Sequence, residues 1–230
     1  MEKRNHFRHE LKYDISYHQY LEMIPRLGAV MKKDKFAGED GRYLIHSVYF
    51  DNYLDKALKE KIDGVQMREK FRIRWYNDNM TKLKLEKKQK VNDLCLKHAT
   101  SLSNSEFEKI LEGDVNWMKN SEDNLVREFY VKTRILLNKP RVLVSYMREP
   151  YIYSPGNVRV TFDSRIRTSM NHPILSDRPA EDIDARMEPG HMILEVKYDE
   201  FLPELISMLL QLGSVRQTAF SKYGICRRFG

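Results

Sequence analysis

Arg72 and Arg74 stand two apart in the run Phe71-Arg72-Ile73-Arg74-Trp75-Tyr76. In an extended chain both guanidiniums leave one face while Phe71, Ile73 and Trp75 leave the other. A planar guanidinium presents paired donors that match the oxygens of a phosphate. The same alternation of charged and large apolar residues recurs in Glu10 with Lys12; Lys82, Lys84, Glu86 and Lys88; Tyr146 with Arg148; Arg159, Thr161 and Asp163; and Glu195 with Lys197. One such strand is an ordinary solvated face. Six of them read as a sheet that gathers its charged faces around something strongly anionic.

The composition agrees with an anionic partner. The chain has 230 residues and a formal net charge of +7, with its basic residues spread along strands rather than collected in a tail. Hydrophobic content of 41% and aromatic content of 11% suit a folded chain, here read as one domain over residues 1–230. No apolar stretch approaches the roughly 20 residues that span a bilayer. The first residues, Met1-Glu2-Lys3-Arg4-Asn5-His6, lack a signal peptide's apolar segment. Cys95 and Cys226 form no CxxC pair, and two reduced thiols in a cytoplasmic chain are the simpler reading.

Elements able to position these residues can be read along the chain. A strand is expected over Phe7–Ile15, then a helix opened by the capping box Ser16/Gln19 and kinked or shortened by Pro25. Tyr43–Phe50 reads as a strand and Tyr53–Lys61 as a short helix. Gln66–Tyr76 and Thr81–Val91 make the best hairpin, turning at Asn77-Asp78-Asn79. A second capping box, Ser103/Glu106, opens a helix ending at Gly113, and Ser121 to about Leu137 has helical periodicity stopped by Pro140. Strands follow at Arg141–Glu149, Asn157–Phe162 and His191–Lys197; then come a helix over Glu204–Leu212 between Pro203 and Gly213, and a short basic helix from Ser221 to Phe229. If the apolar strand faces pack against outer helices, the charged faces must point inwards. The expected fold is therefore α+β: an antiparallel barrel of about eight strands with helices outside, which can hold one small ligand.

In the order of its landmarks the chain resembles the VTC domain, the polyphosphate polymerase branch of the triphosphate tunnel metalloenzyme (CYTH-like) superfamily. Those landmarks are Arg8-His9-Glu10-Leu11-Lys12-Tyr13, Ser47-Val48-Tyr49-Phe50-Asp51, Arg72-Ile73-Arg74-Trp75-Tyr76 and Leu85-Glu86-Lys87-Lys88, followed by Tyr146-Met147-Arg148, Arg159-Val160-Thr161-Phe162-Asp163, Leu194-Glu195-Val196-Lys197 and Phe220-Ser221-Lys222-Tyr223. The resemblance implies a triphosphate tunnel and transfer of the γ-phosphate of ATP onto a growing polyphosphate chain, assisted by Mn²⁺ or Mg²⁺. It implies Arg72, Arg74, Arg148 and Arg159 as the triphosphate clamp, Lys84, Lys88, Lys97 and Lys197 in the basic lining with Tyr146, and Lys12 near the transferred phosphate. Ser221 and Lys222 would bind phosphate at the start of the last helix. Glu195 would be the leading metal ligand, with Glu86 and Glu10 second; the competing role of each is an ion pair with a neighbouring base.

Hydrolytic relatives in the superfamily carry Glu-x-Glu-x-Lys on the first strand, where this chain has Arg8-His9-Glu10-Leu11-Lys12. Fewer carboxylates leave fewer places to hold metal and activate water, which leans towards a polymerase. Two alternatives remain: a metal-dependent triphosphatase, and a non-catalytic polyanion or RNA-binding module in which Trp75, Tyr76 and Tyr146 stack on bases. Nucleic acid is the less favoured ligand, since there is no RNP-like motif. A separate membrane partner is compatible with the chain. The scattered histidines form no zinc pattern, and there is no P-loop or dinucleotide fingerprint. Asp182-Ile183-Asp184 is a weak metal motif in an expected loop.

Overall fold

A computed structural model describes residues 7–92, 94–169, 183–185, 189–211 and 215–229. Gly213 and Asp182, and with it the Asp-x-Asp motif as a unit, lie outside the described residues. The elements are β1 (Arg8–Ser16), α1 (Tyr17–Gly28), β2 (Lys32–Lys33), β3 (Tyr43–Asp51), α2 (Lys56–Ile62), β4 (Met67–Tyr76), β5 (Asn79–Val91), β6 (Leu94–Leu102), α3 (Asn104–Glu112), α4 (Asn124–Ile135), β7 (Lys139–Tyr153), β8 (Val158–Ser169), β9 (Ile183–Asp184), β10 (His191–Tyr198), α5 (Glu204–Leu209), β11 (Arg216–Gln217) and α6 (Lys222–Cys226).

Eight strands pair antiparallel in a ring, in the order β7-β3-β4-β5-β6-β1-β10-β8 and back to β7. The pairing is long everywhere except between β6 and β1, which meet only at Arg8↔Cys95 and His9↔Leu94. Further along β1, β11 takes the vacant edge through Tyr13↔Gln217 and Asp14↔Arg216. No helix among the described residues is long and apolar enough to cross a membrane.

Period two decides which side chains face out, and helices cover those faces. On one side Tyr20, Met23 and Leu27 of α1 and Ile206 of α5 pack on Ile15, Val160, Phe162, Leu194 and Val196. On another, Phe107 and Ile110 of α3 and Phe129 of α4 pack on Phe71, Ile73, Trp75, Leu83 and Leu85. The helix α6 behaves differently. Its Tyr223, Ile225 and Cys226 pack with Tyr49, Val144, Tyr146, Ile166 and Ile193, which are inward-facing positions of the ring strands. Part of the ring interior is thereby apolar and filled, and only the remainder is charged.

Local chemistry explains the element ends. Both expected capping boxes form: Ser16 with Gln19, and Ser103 with Glu106. Pro25 sits inside α1, which nonetheless runs to Gly28. Helix α4 begins later than Ser121, because the Asp123 carboxylate accepts the backbone N–H groups of Leu125 at 2.7 Å and Val126 at 3.3 Å. Pro140 falls inside β7 rather than ahead of it, opposite Phe50 at a register irregularity where its missing N–H is tolerated. The sequence reading missed β6 altogether, since Leu94–Leu102 carries little apolar alternation and is held by its full pairing with β5.

Phe129 is fully buried, edge-on to Phe50 at 5.0 Å and stacked on Phe71 at 5.3 Å. Phe129→Ala should therefore cost about 3–5 kcal/mol in urea unfolding. A loss below about 1 kcal/mol would contradict this packing.

Candidate functional site

The charged part of the ring encloses a cavity of about 770 Å³. Eleven lysines and arginines line it against two carboxylates, Glu10 and Glu195. The charged side chains that the ring strands bring to the wall come from inward positions: Glu10 and Lys12 from β1, Arg68, Lys70, Arg72 and Arg74 from β4, Lys88 and Lys90 from β5, Arg148 beside Tyr146 from β7, and Glu195 and Lys197 from β10. Ser221, Lys222 and Tyr223 close the wall from α6.

The cross-strand register sets the chemistry. Glu10 lies opposite Lys197, and Lys12 lies opposite Glu195, so two carboxylates and two ammonium groups form a square on adjacent strands. Lys12 Nζ is 3.0 Å from Glu10 and 3.9 Å from Glu195; Lys88 reaches Glu10 at 2.5 Å, and Lys197 pairs with Glu195. Burial alone would raise the pKa of both carboxylates, but the surrounding lysines, and Arg148 beside Glu195, outweigh it and hold both well below the usual carboxylate range. Burial also works against the Lys12 charge, yet Glu10 and Glu195 hold its pKa above the ordinary lysine value. Lys197 goes the other way. Desolvation, with Lys88 and Arg148 adding to it, draws its pKa down to about 8 despite its two carboxylate partners.

The arginines are fixed from behind. Arg72 bonds Glu86 at 2.7 Å and donates to the Tyr49 hydroxyl at 2.9 Å. Arg74 donates to Tyr146 Oη at 3.0 Å and Ser47 Oγ at 3.3 Å. Arg148 holds Asp163 with two bonds of 2.6 and 2.7 Å, and the same carboxylate takes Lys222 Nζ at 2.5 Å. The Lys222 ammonium also lies 4.6 Å from the centre of the Tyr146 ring. Asp163 has no exposed side-chain surface, so it holds two buried cations together from beneath the cavity floor.

Not every expected residue reaches this cavity. Lys84 is directly opposite Arg74 in register but is exposed and absent from the wall. Lys97 is also outside it, with its side chain 54% exposed. The reason is the short β6–β1 seam. Beyond Cys95, β6 has no neighbour on β1, so that stretch of β5 and β6 projects past the closed ring. Arg159 lies away from the cavity, bonded to Asp34 and to the Tyr43 hydroxyl, both at 2.7 Å. Glu86 is not a wall residue either: one oxygen faces Arg72 and Arg74 and the other takes Lys97 at 3.0 Å, the ion-pair role rather than a ligand's. The five-residue α6 is too short to act through a helix terminus, and Ser221 Oγ already accepts the Gly224 N–H. What α6 offers is its side chains.

Lys61, Arg68, Lys70 and Lys90 line the cavity without having been anticipated. Lys70 continues the Arg72/Arg74 period by one more step, but the apolar half of the alternation stops there, with Glu69 standing where Phe71 and Ile73 stand further along. Arg8, which replaces the first glutamate of the hydrolytic pattern, bonds Asp199 at 2.8 Å away from the cavity. Of the aromatic residues that would have to stack on bases, Trp75 is buried in the outer core, Tyr76 lies edge-on to Tyr43 at 5.5 Å, and Tyr146, although in the cavity wall, is buried with the Lys222 ammonium over its ring.

Two solved structures share the fold of the eight-stranded ring at low identity. One is a Hippeastrum protein assigned as an adenylyl cyclase and found to have a dominant triphosphatase activity (13% identity, 97% of this chain and 95% of that one, TM-score 0.56). The other is a Bacillus halodurans protein assigned as an adenylate cyclase (17% identity, 90% and 88% covered, TM-score 0.51). At these identities the likeness shows the fold. No curated protein matches the chain. The VTC domain matches residues 7–229, and the chain belongs to that family.

Asp163 tests the electrostatics directly. Arg148 and Lys222 outweigh the burial that would raise its pKa and hold it below the ordinary aspartate value. Its contribution to stability is then fully present above the unfolded-state pKa of about 3.9 and is lost as pH falls through the lower folded value. Asp163→Asn should cost about 3–5 kcal/mol at neutral pH by stranding two buried cations. The variant's stability should also depend less on pH across the acid limb than that of the wild type. An unchanged urea midpoint at pH 7 would contradict the arrangement.

Proposed function

We propose that the chain is an ATP-dependent polyphosphate polymerase, in which the terminal phosphate of a polyphosphate chain attacks the γ-phosphorus of ATP. A new P–O bond forms to the chain, the bond to the β-phosphate oxygen breaks, and ADP leaves. The observation that carries this reading is the balance of the cavity wall, eleven basic side chains against two carboxylates. A nucleoside triphosphate brings about four negative charges, fewer than the wall is built to meet, whereas a triphosphate together with a phosphate chain meets it.

Phosphoryl transfer asks for positioning and for charge on the equatorial oxygens rather than for covalent help from the protein. Arg72, Arg74 and Arg148 supply fixed guanidiniums, each braced by a second group. Lys12 stays a cation because Glu10 and Glu195 hold its proton, so its role is to neutralise the transferred phosphoryl group and not to act as a base. An ionised terminal phosphate has no proton to give up, and none needs a receiver.

Glu195, with Glu10 beside it in the cavity wall, is the proposed ligand of a divalent cation that would keep waters and phosphate oxygens as its other ligands and would displace the contacts Glu195 makes with Lys197, Arg148 and Lys12. The described residues form no group of three or more metal-ligating side chains, so a dedicated all-protein cage is not the design. Bound Mg²⁺ or Mn²⁺ would supply charge neutralisation across the phosphates. ATP and inorganic polyphosphate are the proposed ligands, and Ser221, Lys88 and Lys222 are proposed to contact them.

Purified protein incubated with ATP and Mn²⁺ should yield long chains and ADP, resolved by gel and phosphate analysis. Free phosphate without chains would instead favour hydrolysis, the reading kept open by the triphosphatase activity of the Hippeastrum protein. Lys12→Ala, Arg74→Ala and Glu195→Ala should each lower turnover by about a hundredfold or more. Full activity in all three would contradict the assignment.

A further inference from the structure

We propose that Lys70 is a phosphate-binding residue whose protonation is completed as an anionic chain enters the cavity, so that loading above neutral pH takes up a proton at this side chain. The inference rests on the reading that the cavity binds a phosphate chain, and it adds a residue and a linkage that the clamp of arginines does not contain.

Lys70 occupies the next inward position before Arg72 on β4 and lines the same cavity. Its Nζ donates to Ser221 Oγ at 3.1 Å and lies 5.2 Å from the centre of the Tyr223 ring. Both contacts come from α6, and neither carries a negative charge. The charged groups that act on it most from its surroundings are cations: Arg68 from its own strand, Lys88 directly opposite on β5, Lys12 from β1 and Lys61 from α2; Glu10 of β1 is bonded to Lys12 and Lys88.

Its neighbours differ in one respect. Arg72 has Glu86, Arg148 and Lys222 share Asp163, Lys88 has Glu10 and Lys197 has Glu195. Lys70 has no ion pair to a described carboxylate. The adjacent Glu69 points to the other face of the strand, where Lys87 at 3.3 Å and Lys132 occupy it.

A buried ammonium ringed by like charges sheds its proton. Desolvation is the larger effect and the four neighbouring bases add to it, drawing the Lys70 pKa down to about 7. A phosphate chain reverses the local field. The anion sits where no carboxylate stands, and it restores the ordinary preference of an amine for its charged form. Ser221 holds the amine in place in both states. Binding and protonation are then linked: the chain binds more tightly when a proton is available, and it draws one in when the pH lies above the empty-state value.

The test is calorimetric titration of tripolyphosphate into wild type, Lys70→Arg and Lys70→Met, at about pH 7.5, in two buffers of different ionisation enthalpy. The difference between buffers gives the protons taken up per ligand bound. Wild type should take up roughly half a proton or more beyond either variant, because Arg is already charged and Met cannot be. Lys70→Met should bind about tenfold more weakly, the size of one lost charge-assisted hydrogen bond, and Lys70→Arg should bind at least as tightly as wild type. Equal proton uptake in all three proteins, with binding retained, would overturn the role of Lys70 alone. Failure of wild type to bind tripolyphosphate at all would overturn the phosphate-chain reading, and this inference with it. Lys70→Met removes a crowded amine, and thermal unfolding should show it at least as stable as wild type; Lys70→Arg fixes a charge at the same place and should be the less stable of the two variants.

Discussion

The structure depends on a small number of buried carboxylates that hold a much larger number of cations in one place. Glu10, Glu86, Asp163 and Glu195 each have less than a tenth of their side-chain surface exposed, and together they touch Lys12, Arg72, Arg74, Lys88, Lys97, Arg148, Lys197 and Lys222. Burying a charge in protein is costly unless it is paired and hydrogen-bonded. The carboxylates pair enough of the cations to let the ring close, while the excess is left facing the cavity. That excess is the property a phosphate chain would read.

The fold accomplishes this by keeping apolar and charged contacts on opposite sides of the same strands. Helices α1, α3, α4 and α5 cover the outer face, so nothing apolar is needed within the charged half of the interior. Helix α6 then divides the lumen. Its apolar residues fill one part, and Ser221 and Lys222 at its start face the other, with Lys222 lying against both Asp163 and the Tyr146 ring. Asp51 links this helix to the ring: its carboxylate accepts the Tyr223 hydroxyl at 2.6 Å and the Ala57 N–H at 3.0 Å, tying α6, α2 and the end of β3 together.

Much of this was legible in the sequence because a strand's period is short and strict. Arg72 with Arg74 and Glu195 with Lys197 declared both the strand and the face, and the demand that apolar faces be covered then turned the charged faces inwards. Period alone does not say where a ring closes. Lys84 and Lys97 have strand positions compatible with the cavity and still miss it, because the β6–β1 seam ends after two residue pairs. Nor does it say which acids are taken by neighbours. Glu86 alternates correctly with Lys88, yet two arginines and a lysine occupy its oxygens. Lys70 was overlooked for a simpler reason: the residues before Phe71 are nearly all polar, so the alternation that marks Arg72 and Arg74 fades there.

The central claim is that a linear phosphate chain lies inside the ring, against Arg72, Arg74 and Arg148. Crystals soaked in tripolyphosphate and examined by difference density test it most directly. The account predicts a row of phosphate peaks within the cavity, running from these arginines past Lys12 towards Lys70 and Ser221. Density confined to the outer surface, with the interior of the ring unchanged, would contradict it.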